Sequence, residues 1–291
     1  MAASSQVISS AANPLLKEVR RAVRQGVATS DGCVVVDSFH LLDEALRSGR
    51  ECELVLASED ARSRVQKILV SHDRRTPVRF VENALFDRIA PSETPQGVLA
   101  LVRPPSWTLD DLFRPQPLVV ILDGVQDPGN AGAIARAAEA FGATGVVFVR
   151  DTASPFNPKT LRASAGSLFR LPYVAGVGRD LARKELRHRN LQVIAASSES
   201  GVPPDRLDWV VPTALVIGSE AHGVSLPLRE EAKSVRIPTR EVESLNAAVA
   251  AAVLLYEASR QRAGSDLTVG AKPVAGGVTR AARDGRGKGR R

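Results

Sequence analysis

Between Leu118 and Val149 the chain reads "LVVILDGVQDPGNAGAIARAAEAFGATGVVFV". It opens on a continuous apolar run, as expected for a parallel strand buried on both faces. Asp127, Pro128, Gly129 and Asn130 then form a turn signal. An Ala-rich helix is expected from about Ala131 to Phe141, and "GVVFV" is the next strand. The turn has neither the lysine of a P-loop nor the three-glycine spacing of a dinucleotide fingerprint, which disfavours a Rossmann oxidoreductase. A single arginine, Arg136, stands near the helix start.

The same alternation continues on both sides. Downstream, "PKTLRASAGSLFRL" reads as a helix, "QVIAASS" and "TALVIGSE" as strands, and "NAAVAAAVLLYEASRQR" as a long helix. That last helix is apolar almost all round and so should be buried on most faces. Upstream, Asn13 and Pro14 are start signals for a helix over "NPLLKEVRRAVRQ". Short strands and helices then alternate from "CVVVD" to "QGVLALV". "RPPSWTLDDLFRPQP", Arg103–Pro117, holds four prolines between the two patterned regions. The expected organisation is an α/β domain over 1–104, a Pro-rich linker over 105–117, a second α/β domain with a parallel sheet over 118–263, and a basic tail over 264–291.

Hydrophobic content of 44% and charged content of 24% fit a soluble globular protein. No apolar run approaches the roughly 20 residues that span a bilayer. The N-terminus lacks the pattern of a signal peptide, so a cytoplasmic protein is expected. Cys33 and Cys52 lack CxxC spacing and read as buried free thiols, with no metal site. The net charge is +7, and the tail alone holds seven basic and two acidic residues. With little to bury, the tail reads as disordered, either a solvated end or an electrostatic arm for RNA.

Three segments set polar residues at strand-to-loop boundaries. The first is NxGxxxR, with Asn130, Gly132 and Arg136. The second is "ALVIGSEAHGVS", where an apolar strand ends in Gly218 and Glu220 follows. His222 in this loop reads as a surface histidine. The third is "VRIPTREVESLNAAVAAAVLLYEASRQR", where a short strand ends at Ile237 and the loop closes on Ser244-Leu245-Asn246. Ser244 suits an N-cap, which leaves the amide of Asn246 to explain.

In this order, the three segments resemble the motifs of the SpoU class of SPOUT RNA methyltransferases, over about Leu118–Arg262. The first hundred residues look like the small RNA-binding domain that often precedes that catalytic domain, although Asp37-Ser38 stands where related sequences often have Glu-Gly. The resemblance implies a C-terminal parallel sheet with a trefoil knot, a homodimer, and methyl transfer from S-adenosylmethionine to a ribose 2′-hydroxyl. It also implies the residue roles. Asn130, Arg136, Glu220, Ser244 and Asn246 would form the catalytic set, with Glu220 orienting Arg136 or other catalytic groups. Gly218, Ile237 and Leu245 would hold the cofactor, and Arg162 and Arg170 would face the substrate. The extra domain favours 23S ribosomal RNA over tRNA. A non-catalytic RNA-binding protein is the alternative from another class.

Overall fold

The computed structural model describes residues 7–266. Local signals start the N-terminal half. Asn13 Oδ1 accepts the Leu15 amide at 3.0 Å and Pro14 takes the first helical position, which begins α1 (Pro14–Gln25). Then follow β1 (Val34–Val36), α2 (Phe39–Arg47), β2 (Cys52–Ser58), α3 (Arg62–Ser71), β3 (Val78–Val81), α4 (Asn83–Ile89) and β4 (Val98–Val102). They build a four-stranded sheet in the order β1-β4-β2-β3. In it β4 runs antiparallel to both neighbours and β2 parallel to β3. Cys33 and Cys52 are buried and unpaired.

The second half contains α5 (Leu109–Leu112), β5 (Leu118–Asp123), α6 (Pro128–Ala140), β6 (Gly145–Val149), α7 (Pro158–Ser164), β7 (Tyr173–Val177) and α8 (Arg179–His188). It closes with β8 (Gln192–Ala196), β9 (Thr213–Gly218), α9 (Leu226–Arg229), β10 (Lys233–Val235) and α10 (Ala247–Asp266). The strands form a six-stranded sheet, β10-β8-β9-β5-β6-β7, in which every pair is parallel. Every residue of β5 and β6 is buried, as their unbroken apolar runs require.

Several local expectations shift. The Asp-Pro-Gly-Asn signal is the start of α6 itself: Asp127 caps the helix through the Asn130 amide at 2.8 Å, and Pro128 opens it. α7 stops at Ser164 because Ala165 and Gly166 adopt positive φ of 48° and 92°. A Cβ on Gly166 would lie 2.8 Å from Glu44 Cβ, so α2 of the first sheet packs directly on this break. The prolines of 105–117 flank a packed element, since Leu112 of α5 is fully buried with Val119, Ile121 and Val147. α10 buries Ala251, Leu254, Leu255 and Ala258 but exposes Val249, Val253 and Tyr256, so in a single chain it is not covered on most faces. It also includes Gly264–Asp266, and the rest of the expected basic tail lies outside the described residues.

The halves share one apolar cluster that passes from β1, β2 and β4 through α6 to β5 and β9. Two arginines bridge the same boundary. Arg162 pairs with the buried Asp37, and Arg170 Nη1 meets Glu44 at 2.6 Å while its Nε meets Glu139 at 2.7 Å. Burial pushes the Asp37 carboxyl up, and the Arg162 guanidinium works against that rise. Burial opposes ionisation of Glu139 too, but its bond to Arg170 prevails and holds the carboxyl below its usual range.

Candidate active site

From β5 the chain moves through α6 to β6 on one side, while β9 lies on the other side of β5. The C-terminal ends of β5 and β9 therefore flank a topological switch point, the place where open α/β sheets leave a crevice for ligands. Asp123, the last residue of β5, ties the two strand ends together. It is 2% exposed, its Oδ2 accepts the Ser225 amide at 2.7 Å, and its Oδ1 accepts Arg179 Nε at 2.8 Å. The loop after β9 folds back on itself through Ser219 N–H to Gly223 O at 3.1 Å and Gly223 N–H to Ser219 O at 2.8 Å. Gly218 makes this possible, because a Cβ there would lie 2.1 Å from the Gly223 carbonyl carbon.

Across the switch point three polar side chains join. Asn130 Nδ2 donates to Glu220 Oε1 at 2.6 Å, and Asn246 Nδ2 donates to Asn130 Oδ1 at 3.0 Å. The other end of the Asn246 amide caps α10, accepting the Ala248 amide at 2.9 Å and the Val249 amide at 3.3 Å. Asn246, not Ser244, is thus the N-cap, and one amide both starts the helix and orients Asn130. Asn130 is fixed in turn by its backbone bond to Asp127. Lys159 hydrogen-bonds the Asp127 carboxyl, which is held below its usual range by that bond first and by the Asn130 amide second.

Beside this network lies a cavity of about 530 Å³. Gly218, Glu220, Ile237, Ser244, Leu245 and Asn246 all line it. Ile217, Ala250 and Leu254 give it apolar surface, and the loops after β8, β9 and β10 supply most of the remaining lining. This donor set fits a nucleoside-type cofactor: flat aliphatic surfaces for a base, and backbone amides and carbonyls for its edge and the ribose. Ser197–Ser200, the loop after β8, line the same cavity and were not among the residues expected from sequence. The rule that ligands sit at the carboxyl ends of parallel strands is the signal that points to them. Asp123 likewise passes for the end of an apolar strand until its partners are seen.

Arg136 lies exposed on α6, outside the set of cavity-lining residues, and has no hydrogen-bond or ion-pair partner among the described residues. Glu220 engages Asn130, so the structure does not pair it with Arg136 in one chain. Arg162 and Arg170 stand at the boundary between the halves, paired with acids. His222 is exposed. Among the described residues there is no group of three or more metal-ligating side chains, and no helix is long and apolar enough to cross a membrane.

A parallel sheet with a cavity and an amide–carboxylate network at its switch point defines an α/β protein with a candidate site for a nucleoside-type cofactor. Residues 117–256 match the model of the SpoU rRNA Methylase family, and residues 39–108 match that of RNA 2'-O ribose methyltransferase substrate binding. The chain is 31% identical over 255 residues to the 23S rRNA (guanosine(2553)-2'-O)-methyltransferase RlmP of Bacillus subtilis, covering 86% of this chain and 97% of that one. It is 35% identical over 223 residues to the 23S rRNA (guanosine-2'-O-)-methyltransferase RlmB of Xylella fastidiosa, covering 72% and 89%. Among solved structures, the SpoU methyltransferase AviRb of Streptomyces viridochromogenes in complex with AdoMet superposes with a TM-score of 0.77 at 27% identity, covering 86% of this chain and 98% of that one. The chain belongs to the SpoU family of RNA 2′-O-ribose methyltransferases, enzymes that take their methyl group from S-adenosylmethionine.

Proposed function

We propose that this enzyme methylates a ribose 2′-hydroxyl in 23S ribosomal RNA, with S-adenosylmethionine held in the cavity beside Gly218, Ile237 and Leu245. The observation behind this reading is the Asn130–Glu220–Asn246 network at the rim of that cavity, together with the substrate named for RlmP and RlmB. When bound, the cofactor supplies a methyl group already activated by a sulfonium charge. The chain's own residues align the hydroxyl and stabilise the charge that grows on its oxygen. Asn130 is held rigid from both ends and presents a fixed hydrogen-bonding edge to the nucleotide. Arg136 is the clamp: its planar fork suits a phosphate of the target nucleotide, and its permanent charge stabilises a developing alkoxide. A group that stays protonated is a poor base, so we assign it no proton transfer, and the hydroxyl proton passes to water. Ser244 completes the polar side of the pocket.

The enzyme works as a cytoplasmic homodimer in this reading. Val249, Val253 and Tyr256 form an exposed apolar row on α10, and α10 packs against α6, the helix that holds Arg136. A second copy covers that row. The trefoil knot belongs to the same reading: the loop from Arg236 to Asn246 returns to the cavity already lined by the loop after β9.

The test is single-turnover transfer of labelled methyl from S-adenosylmethionine to purified ribosomal RNA, followed by mass mapping of the modified fragment. Label on a base, or on tRNA in preference to ribosomal RNA, overturns the substrate assignment. Light scattering showing a monomer at micromolar concentration overturns the dimer.

A further inference from the structure

A second cavity, of about 540 Å³, lies between the two halves of the chain. One wall is α1 and the end of α4, and the other is the start of α7. Its charged lining is entirely cationic: Arg20, Arg24, Arg88, Lys159 and Arg162. Lys159 and Arg162 already have acid partners, Asp127 at 2.8 Å and the buried Asp37. Arg20, Arg24 and Arg88 have no ion-pair partner among the described residues. They are also crowded. Arg20 and Arg24 stand one turn apart on α1, where like charges are mutually destabilising. Arg20 Nη2 donates to the Arg88 carbonyl at 3.3 Å, which brings α4 to the same place. Three guanidinium groups gathered without a counter-charge mark a site whose anion comes from outside the chain.

We infer that this cleft is a groove for an RNA backbone, in which Arg20, Arg24 and Arg88 contact successive phosphates of the substrate. The inference rests on the reading of the protein as an RNA methyltransferase and adds where the strand runs. The geometry favours a strand leading toward the reaction centre. Lys159 lines the groove and bonds Asp127, and Asp127 caps the turn that presents Asn130. Half-buried Val23 and Pro91 beside the cations give riboses and bases an apolar surface to lie on. Guanidinium forks match phosphate oxygens in pairs, and successive phosphates of one strand can meet all three arginines. Two of the three arginines without an ion-pair partner lie on α1, which precedes the segment matched as the family's substrate-binding region. α1 is therefore part of the RNA surface in this protein.

The experiment measures binding of a fluorescein-labelled RNA hairpin from 23S ribosomal RNA to the full chain over a salt series. The variants are Arg20→Gln/Arg24→Gln/Arg88→Gln, the single Arg24→Gln, and Arg74→Gln/Arg75→Gln, whose side chains are exposed and do not line the cleft. Each phosphate contact contributes roughly 0.7–0.9 to the slope of log affinity against log salt, so the triple variant should lose about 2–3 from it and Arg24→Gln about 1. The Arg74/Arg75 pair should lose little. Thermal melting checks the fold, and Arg24→Gln alone decides the matter if the triple variant unfolds early. An unchanged slope in the cleft variants, or an equal loss in the Arg74/Arg75 pair, overturns the groove. Polyglutamate binding as tightly as the hairpin at equal charge would overturn it in favour of an acidic protein. Wild type that binds the hairpin with the full slope yet transfers no methyl sinks the methyltransferase reading and leaves the groove standing.

Discussion

Asn130→Asp changes the proposed active-site network while keeping its shape. The bond from Asn246 Nδ2 at 3.0 Å survives, because a carboxylate oxygen also accepts. The 2.6 Å contact to Glu220 does not, since two acceptors, both charged, now face each other. Losing a hydrogen bond to an ionised partner costs about 1.5–3 kcal/mol. At about 1.36 kcal/mol per tenfold, that is a fall in kcat/KM of roughly 10- to 150-fold at mildly alkaline pH, before repulsion is added. The sign of the pH dependence follows. Two carboxylates in contact bind a shared proton more tightly than either alone, and the shared proton restores a donor. The deficit relative to wild type should therefore shrink as pH falls. Loss of fold is not the cause, because the new charge sits in the first turn of α6, where an anion is favoured by about 0.3–1 kcal/mol. Single-turnover methyl transfer over a pH series, with calorimetry of cofactor binding, reads the effect. Equal rates for variant and wild type at every pH would show that the Asn130–Glu220 contact plays no part in activity. A deficit independent of pH would show that charge is not its origin.

Three further outcomes are expected. Arg136→Ala should slow methyl transfer by about 10²–10³ with cofactor affinity unchanged, and Arg136→Lys should stay well below wild type because it keeps the charge but loses the fork; single-turnover rates check both. Gly218→Ala sets a methyl 2.1 Å from the Gly223 carbonyl carbon and 2.3 Å from Val224 N, so the loop must open. A strain of about 1–3 kcal/mol there should raise the cofactor Kd by roughly 5- to 150-fold in a calorimetric titration. In α1, the Arg21 guanidinium and then the Ser30 amide hold the Glu18 carboxyl down to about 2 from its usual 4.5. A folded value below the unfolded one means stability that is present above 4.5 and lost as pH falls toward 2. Glu18→Gln should flatten the acid limb of denaturant unfolding curves in that window, with a loss at neutral pH of no more than about 1 kcal/mol for so open a pair.

The parts legible in the sequence are those fixed by neighbours along the chain. Asn13-Pro14 starts α1, the unbroken apolar runs of β5 and β9 are buried parallel strands, and the Gly218, Ile237 and Leu245 loops line one cavity. β7 and α8 have no such signal. β7 is half exposed with Gly176 at φ 74° inside it, and α8 is charge-rich with only Ala182 and Leu186 buried. Pairings that depend on strand order were hidden too. Nothing local places β9 beside β5, so the partner of Glu220 could not be read as Asn130. The pairing of Arg162 with Asp37 spans 125 positions and needs both sheets in place. α10 reads as a helix buried on most faces because its exposed row is as apolar as its core face.

The separations within the network also set an order in time. Asn130 precedes Glu220 by 90 positions and Asn246 by 116. At about 5–20 residues per second, a ribosome delivers Asn246 roughly 6–23 s after Asn130. Glu220 follows Asn130 by about 4.5–18 s at the same rate, so for most of that interval the nascent chain holds β5 and the start of α6 with no partner for the Asn130 side chain from the loop after β9 or from α10. Assembly of the Asn130–Glu220–Asn246 network therefore waits until the start of α10 has been made, and a chain truncated before Asn246 lacks the amide that fixes Asn130.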